Sequence, residues 1–227
     1  DPYLFGRGAE EAGFLNAQGI RFEVIPGVTS PLGCGAYAGI PLTERTAASR
    51  VAFVTAHHAE SAAKSTPWKS LHDAVETLVI FMGMKRLDMI CAELLRAGYA
   101  PGTPAAVVSR GTWPAQKTVT GTLRDLAQRV RVHRVEAPAL VIVGDVVRLK
   151  KKLDWYERQP LFGKRIVITR ARSQASSFRE KLTALGAQAI ELPTIEIRPP
   201  RDFRELDAAI ARIEDFDWVV FTSANGV

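Results

Sequence analysis

Short runs of β-branched and aliphatic residues alternate with amphipathic helical patterns along the chain, and this alternation limits the folds it can adopt. Several of the runs are nearly all apolar, as expected for strands covered on both faces. Helices are predicted between them, for example Leu87 to Ala97 and Ser173 to Leu185, where Gly186 is suited to the C-cap. The pattern predicts an α/β architecture with largely parallel sheets. The predicted strands are RFEVIPG, RVAFVTAHH, TLVIFMG, AAVVSRG, ALVIVGDVV, KRIVITRA, AIELPTIEI and WVVFTS.

The stretch QKTVTGTL (116–123) differs because it is polar, rich in threonine and alternates with a period of two. It predicts a more exposed, antiparallel strand, so the first sheet is expected to be mixed. The strand pattern restarts after DWYERQPLFGKR (154–165), which predicts two units, residues 1–157 and 162–227. The chain starts on a loop with no strand before it and stops just after a predicted strand. We therefore expect a piece of a longer protein, cut at both ends.

The net charge of +6 favours an anionic partner, which leaves nucleic acid, a membrane surface or an acidic small molecule. No basic stripe interleaved with aromatic residues supports nucleic acid, and no apolar run approaches the ~18 residues of a membrane span. The basic run at 148–152 fits either a solvated helix near the domain junction or an anion contact. We expect neither nucleic acid nor membrane as a partner.

Cysteine and histidine placement argues against metal or disulfide chemistry. Cys34 and Cys91 fall in separate predicted helices without a CxxC partner, which favours small buried residues and a reducing cytoplasm. His57 and His58 are adjacent, so on a strand they point to opposite faces and make a poor shared site. No metal is predicted.

Two glycine-rich segments permit a close approach to a ligand. In DPYLFGRGAEE, Arg7 lies between two glycines and could hold a carboxylate, although a plain turn explains the glycines equally well. In PGVTSPLGCGAYAGIPLTER, Thr29 or Ser30 can cap a helix that has Pro31 in its first turn. Such a helix start offers N–H donors to an anion, and the alternative is a capped, tightly packed helix.

Two further positions lie just after predicted strands. Met82 follows a buried run, where it is either core filler or a residue facing a ligand crevice at the carboxyl end of the strand. Gly111 repeats this layout in VVSRGTWPAQ. No nucleophile and base pair can be argued from the residues.

The ordered segments DPYLFGRGAEE, VIPGVTSPLGCGAYAGIPLT, TLVIFMGMK, VSRGTWPAQKTVTGTL and APALVIVGDVVRL resemble the tetrapyrrole methylases, and within them the uroporphyrinogen-III C-methyltransferases. The resemblance covers Asp1 to about Tyr156. It implies an α/β/α domain with a mixed sheet that binds S-adenosylmethionine in a cleft. The implied reaction is C-methylation of uroporphyrinogen III to precorrin-2, on the route to sirohaem and cobalamin. Electron-rich pyrrole carbons attack the sulfonium methyl group in this chemistry.

The resemblance also implies roles for individual residues. Arg7 is the candidate contact for a carboxylate of the anionic tetrapyrrole substrate. In this family the acid and base groups lie upstream of the segment that begins at Asp1, so no catalytic residue is named. A homodimer is a family expectation. The implied S-adenosylmethionine contacts are Asp1, Leu4, Thr29, Ser30, Met82, Gly111 and Ala139.

The second segment, PLFGKRIVITRARSQASSFREKLTALGAQAIELPTIEI with DWVVFTSANGV, resembles the start of uroporphyrinogen-III synthase. This resemblance implies a partial parallel α/β domain in a bifunctional fusion. Strand-end hydroxyls and amides suit carboxylate recognition without a metal. The candidate substrate contacts in this segment are Thr169, Arg170, Thr222, Ser223 and Asn225.

Three functions therefore remain open at the level of the sequence. The first is methyl transfer by the parent protein, with the isolated 227 residues expected to be inactive. The second is hydroxymethylbilane cyclisation by the synthase segment as the main activity. The third is a non-catalytic scaffold that binds a tetrapyrrole or dimerises.

Overall fold

The computed structural model describes residues 1–56, 66–169, 172–196, 198 and 201–222. Within these residues the strands are β1 (Val51–Thr55), β2 (Thr77–Phe81), β3 (Pro104–Ser109), β4 (Lys117–Thr122), β5 (Ala139–Val143), β6 (Arg165–Ile168) and β7 (Gln188–Glu191). The α-helices are α1 (Gly8–Ala17), α2 (Ser30–Ala38), α3 (Trp68–Ala74), α4 (Leu87–Arg96), α5 (Leu126–Val132), α6 (Lys150–Leu153), α7 (Arg172–Ala184) and α8 (Arg204–Ile210). Short 3-10 helices span Met84–Arg86, Asp145–Leu149 and Ile213–Asp215.

The first sheet has five strands in the order β1-β2-β5-β3-β4. Only β1 and β2 pair in parallel, whereas β5 is antiparallel to both β2 and β3, and β3 is antiparallel to β4. The mixed sheet and the antiparallel strand at 117–122 are confirmed, but the expectation of a largely parallel sheet is wrong here. A continuous apolar run reports burial on both faces of a strand, and it carries no information on the direction of the neighbouring strand.

Alternate side chains of this sheet belong to two separate hydrophobic cores, one on each face. Leu78 and Ile80 of β2 join one cluster of buried side chains, and Val79 and Phe81 join a second cluster on the opposite face. Helices α4 and α5 cover the first face, while α2 and the turn 145–149 cover the second. The result is the predicted α/β/α arrangement.

Helix α4 buries one face, which the spacing of its apolar residues predicts. Its buried residues are Leu87, Ile90, Cys91 and Leu94, which recur at i, i+3, i+4 and i+7 and so form one stripe along the helix. Each such side chain contributes about 1.5–3 kcal/mol when it leaves water. None of the helices in the described part of the chain is long and apolar enough to cross a bilayer.

The second sheet consists of β6 and β7, which pair in parallel and are joined by α7. Ile168, Leu182 and Ala187 form its small core. Gly186 has a φ of 90° just beyond α7, so the predicted glycine cap is confirmed, since this backbone conformation is unfavourable for other residues. A partial parallel α/β unit therefore follows the first sheet.

Two predicted strands do not form. Residues 21–27 and 218–222 have no strand partner in the described chain, and Ile25 and Trp218 expose 75% and 84% of their surface. β-branched and aromatic composition favours an extended chain, but a strand needs a neighbour to accept and donate its backbone hydrogen bonds. Composition alone was misleading at both places.

Candidate functional site

A cleft opens at the edge of the first sheet where β2 and β3 end and β5 begins. Its volume is about 900 Å³, within the ~300–1,000 Å³ typical of small-molecule sites. The start of α2 forms one wall, and the loops that follow β2 and β3 form others. We call this space the cleft; it is lined by Val28, Thr29, Ser30, Gly33, Cys34, Phe81, Met82, Met84, Lys85, Val108, Arg110, Gly111, Thr112, Trp113, Ala137, Pro138, Ala139 and Leu140.

Five of the seven residues predicted to contact S-adenosylmethionine line this cleft. Thr29 and Ser30 come from the start of α2, Met82 and Gly111 from the two strand ends, and Ala139 from the first residue of β5. They are drawn from four places in the sequence, up to 110 residues apart. The structure brings them together because β2, β3 and β5 are neighbours in the sheet.

The start of α2 brings Thr29 and Ser30 to the cleft. Thr29 occupies the N-cap position with an extended backbone, and Pro31 lies within the first turn as predicted. Thr29 is thus one of the two predicted caps by position, although its side chain makes no capping hydrogen bond. Pro31 has no N–H group, and those of Leu32 and Gly33 donate to the Thr29 carbonyl oxygen at 3.0 and 3.3 Å. The donors that this turn offers a ligand are therefore the Ser30 N–H group and the hydroxyl groups of Thr29 and Ser30.

Helix α2 and the loop after β3 approach each other closely at Gly111. A methyl group added there would lie 2.3 Å from Cys34 Sγ, so only glycine fits. The Gly111 N–H group donates toward the sulfur, but burial dominates and raises the pKa of the Cys34 thiol. Gly33 faces the same loop, and a Cβ atom added to it would lie 3.2 Å from Thr112 Cγ2.

Three non-glycine residues of the cleft adopt a left-handed backbone conformation. The φ angles are 56° at Met82, 49° at Arg110 and 73° at Thr112. Each such residue costs about 1–3 kcal/mol, and such strain is concentrated at functional sites. The side chain of Met82 is 51% exposed, which contradicts the core-filler interpretation and leaves the crevice-facing one.

The opening loop lies beside the cleft and does not line it. Asp1 accepts hydrogen bonds from Tyr3 N at 2.9 Å and from Gly27 N at 3.3 Å, and thereby ties the loop to the segment that leads into α2. Leu4 packs on the second core cluster. Phe5 meets the cleft residue Phe81 with ring centroids 4.8 Å apart.

Arg7 is exposed and pairs with Glu10, its Nη2 atom 2.5 Å from Glu10 Oε2. This pair lowers the pKa of the Glu10 carboxyl and raises that of the guanidinium. The side chain of Arg7 is 79% exposed, so it can exchange this partner for another carboxylate.

The candidate contacts of the second unit are placed only in part. Thr169 follows β6, and its carbonyl oxygen accepts bonds of 3.2 Å from both Thr194 N and Thr194 Oγ1. Thr222 is exposed. No described contact brings the two threonines together. Arg170, Ser223, Asn225, His57 and His58 lie outside the described residues.

The lining residues that were not predicted as contacts include Lys85, Arg110, Thr112 and Trp113. All four lie within three residues of a predicted position, so the rule that ligands bind beyond strand ends could have found them. Lys85 and Arg110 add two positive charges to the wall. Among the residues that the structure describes, no group of three His, Cys, Asp or Glu side chains is arranged to hold a metal ion.

Comparison with known proteins agrees with this architecture. The sequence pattern of the tetrapyrrole (corrin/porphyrin) methylases matches residues 1–127, and that of uroporphyrinogen-III synthase HemD matches residues 176–227. A uroporphyrin-III C-methyltransferase structure from Thermus thermophilus, complexed with S-adenyl homocysteine, superposes with a TM-score of 0.55 at 38% identity. The match covers 66% of this chain and 64% of that one.

Two curated relatives match along the whole chain. They are the porphyrin biosynthesis protein HemD of Ruminiclostridium josui, at 37% identity, and the uroporphyrinogen-III C-methyltransferase of Bacillus subtilis, at 38%. The chain spans 45% and 46% of the length of these proteins, so it covers about half of each relative. The methylase pattern, the matching fold and the order of the two segments agree: the chain belongs to the tetrapyrrole methylases and carries a uroporphyrinogen-III synthase (HemD) segment behind its methylase domain.

Proposed function

We propose that the protein of which this chain forms part transfers methyl groups from S-adenosylmethionine to uroporphyrinogen III, giving precorrin-2. The observation that carries the proposal is the convergence of Thr29, Ser30, Met82, Gly111 and Ala139 on one cleft. Each of them is a donor contact that the resemblance to the tetrapyrrole methylases implies. The relative from Thermus thermophilus that shares this fold was solved with S-adenyl homocysteine.

The cleft fits the methyl donor in size and chemistry. The start of α2 offers the Ser30 N–H group and the positive end of the helix to a carboxylate, next to the hydroxyl groups of Thr29 and Ser30. The apolar side chains of Met82 and Leu140 suit a flat aromatic base. We therefore assign the amino-acid portion of the donor to the first group of residues and its adenine to the second.

The remaining cleft residues are assigned to the substrate and to alignment. When bound, S-adenosylmethionine supplies an electrophilic sulfonium methyl group. Lys85 and Arg110 offer positive charge to the acetate and propionate groups of the tetrapyrrole, and Arg7 does so once it leaves Glu10. Residues held in strained backbone conformations provide a rigid wall, and a rigid wall favours the alignment that in-line transfer needs.

Asp1 and Leu4 are assigned an indirect part in donor binding. Asp1 holds Gly27, two residues before Thr29, and Leu4 packs beneath the sheet edge. Their direct contact with the donor stays a prediction. Residues 1–157 form the methylase domain in this proposal, and residues 162–227 belong to the synthase domain.

Hydroxymethylbilane cyclisation is the second candidate, favoured by the HemD match and by the β6–α7–β7 unit. Both activities in one polypeptide are consistent with the order of the segments. Incubation of the full-length protein with hydroxymethylbilane tests the synthase, because the cyclised product is separated readily by chromatography. If no uroporphyrinogen III forms, the synthase part of the proposal is wrong.

The remaining expectations follow from the same assignment. An acidic tetrapyrrole agrees with the charge of +6, and we propose a homodimer that acts without nucleic acid or membrane. Cys34 and Cys91 are free and buried, which agrees with the reducing cytoplasm. Methyl transfer is expected to need more than the 227 residues, since this chain covers only 45% and 46% of the relatives that match along its whole length.

Isothermal titration of the full-length protein with S-adenosylhomocysteine tests the donor site. We expect Met82→Ala and Thr29→Ala to weaken binding by about 5- to 50-fold each, the equivalent of ~1–2 kcal/mol. Met89→Ala is the matched control, because Met89 is 40% exposed on α4 and does not line the cleft. Unchanged affinity in both cleft variants would favour a non-catalytic scaffold.

A further inference from the structure

The last residues of the methylase domain, which lead into the linker to the second unit, contribute to a largely buried polar cluster. Lys150 Nζ lies 2.9 Å from Glu157 Oε2 and 3.3 Å from Asp154 Oδ2, and these side chains expose only 13–16% of their surface. Thr118 Oγ1 donates to Glu157 Oε1 at 2.5 Å. We call Gln116, Thr118, Lys150, Asp154 and Glu157 the linker cluster. Charges placed this deeply are costly unless every partner is present.

Gln116 connects the rest of this cluster to Tyr37 and to the loop that contains Thr112. It is 3% exposed, and its Nε2 group donates to Glu157 Oε1 at 2.9 Å and to the Tyr37 carbonyl oxygen at 3.3 Å. Its Oε1 atom accepts the Thr112 N–H group at 2.8 Å. Since two partners are acceptors and one is a donor, only this orientation of the amide satisfies all three.

Thr112 is the point at which the linker cluster meets the cleft. Its N–H group is held by Gln116, and its carbonyl oxygen accepts the Tyr156 hydroxyl at 3.3 Å. The backbone N–H group of Thr112 is therefore bonded by the linker cluster, and its carbonyl oxygen by Tyr156, which precedes Glu157. Thr112 lines the cleft with a φ of 73°, a conformation that persists only where surrounding contacts enforce it.

We propose that Glu157 and Gln116 are positioning residues for the cleft. Glu157 fixes the amide of Gln116, and Gln116 fixes the strained backbone of Thr112 next to Gly111. The end of the methylase domain, just before the chain continues into the synthase part, then helps to shape the methylase site. The link to donor affinity rests on the proposed function, whereas the effect on the loop does not.

Substitution of Glu157 should act on the loop in a graded way. Glu157→Ala leaves Gln116 Nε2, Thr118 Oγ1 and Lys150 without their shared acceptor. Glu157→Gln keeps one oxygen that can accept from Gln116 and Thr118, but it loses the charge opposite Lys150. We therefore expect Glu157→Ala to loosen the loop most and Glu157→Gln to loosen it less, both relative to the unchanged chain.

Hydrogen–deuterium exchange of the unliganded full-length protein measures this directly. We expect exchange in residues 110–117 to rise about tenfold in Glu157→Ala and in Gln116→Ala, with partial rescue in Glu157→Gln. Glu93→Ala is the matched control, because Glu93 accepts the Trp68 indole N–H at 2.7 Å between α3 and α4, away from the cleft. Exchange within about twofold of the unchanged protein in Glu157→Ala, or an equal rise in Glu93→Ala, would overturn the proposal.

Titration with S-adenosylhomocysteine tests the consequence for the site. The dissociation constant should rise about tenfold in Glu157→Ala, less in Glu157→Gln, and not in Glu93→Ala. Faster loop exchange with unchanged affinity would refute the link to the donor. If the unchanged protein itself binds no S-adenosylhomocysteine, the proposed function is wrong, and the exchange experiment still decides the positioning role.

Discussion

Gly111→Ala is the substitution whose effect can be worked out most directly from the structure. The Cβ atom that it adds would lie 2.3 Å from Cys34 Sγ, 3.1 Å from Cys34 Cβ and 3.2 Å from Cys34 Cα. Ordinary van der Waals contact begins at 3.4 Å, so the sulfur and the new methyl group must separate by about 1.1 Å. Gly111 has no left-handed backbone angle, and the penalty is therefore steric alone.

The size of the penalty follows from the confinement of Cys34. This residue is 8% exposed and packs in the second core cluster, which limits how far the helix can shift away from the loop. Overpacking of this kind costs about 1–3 kcal/mol, and the severity of the overlap places Gly111→Ala at ~2–3 kcal/mol. Because the strained loop lies in the cleft wall, donor affinity should fall as well.

Urea unfolding followed by circular dichroism measures this cost, and a double-mutant cycle identifies its cause. Cys34→Ala removes the sulfur at a cost of about 1 kcal/mol and leaves the next contacts only a few tenths of an ångström too close. In that background Gly111→Ala should cost less than ~1 kcal/mol, a coupling of about 1–2 kcal/mol. Gly102→Ala is the matched control, because an added methyl group there meets nothing within 4 Å.

Two results would contradict the overlap between the added methyl group and Cys34. If Gly111→Ala unfolds at the same urea concentration as the unchanged chain, the loop and helix are not in the described contact. If the losses from Gly111→Ala and Cys34→Ala simply add, the sulfur is not the obstacle.

Two other predictions concern stability. Arg50 and the backbone N–H groups of Ser49 and Arg50 bind the Glu76 carboxylate, and the side-chain bond from Arg50 is the largest cause of the lowering of its pKa to about 2. Since the folded-state pKa lies below the usual value of 4.5, this carboxylate stabilises the fold above about pH 4.5 and loses that effect as the pH falls toward 2. In urea unfolding at several pH values, the stability difference between the unchanged chain and Glu76→Gln should therefore vanish in acid; a constant difference would contradict this. Leu94 is fully buried, so Leu94→Ala should lower the free energy of unfolding by about 2–5 kcal/mol. Val132 is 70% exposed, so Val132→Ala should change it by less than ~0.5 kcal/mol. Equal effects of the two substitutions would argue against the described core.

Local pattern in the sequence was sufficient for much of the fold. The buried stripe of α4, the exposed antiparallel strand at 117–122 and the cap at Gly186 each depend on a few neighbouring residues, so a short window contains the information. The motif order likewise placed the methylase segment ahead of the synthase segment. Composition failed at 21–27 and 218–222, where apolar residues stay exposed without a strand partner in the described chain.

Five residues of the cleft could be predicted from the sequence, but the contacts that shape it could not. The positions after predicted strands gave Met82 and Gly111, because ligands bind where strands end. The sequence contained no sign that Cys34 blocks a side chain at position 111, or that the backbone of Thr112 is left-handed. Both facts arise from the packing of α2 against a loop that is distant in the sequence.

From the sequence alone we could predict where helices and most strands form, and which segments carry the methylase and synthase patterns. The direction of the strands and the contacts that shape the cleft arise only in the folded chain. The bond between Gln116 and Glu157 spans 41 positions and has no counterpart in any local pattern. Residues that are close in the sequence set the periodicity of a helix or a strand. Strand direction, tight contacts between elements and the partners of buried polar groups depend on residues that are distant in the sequence.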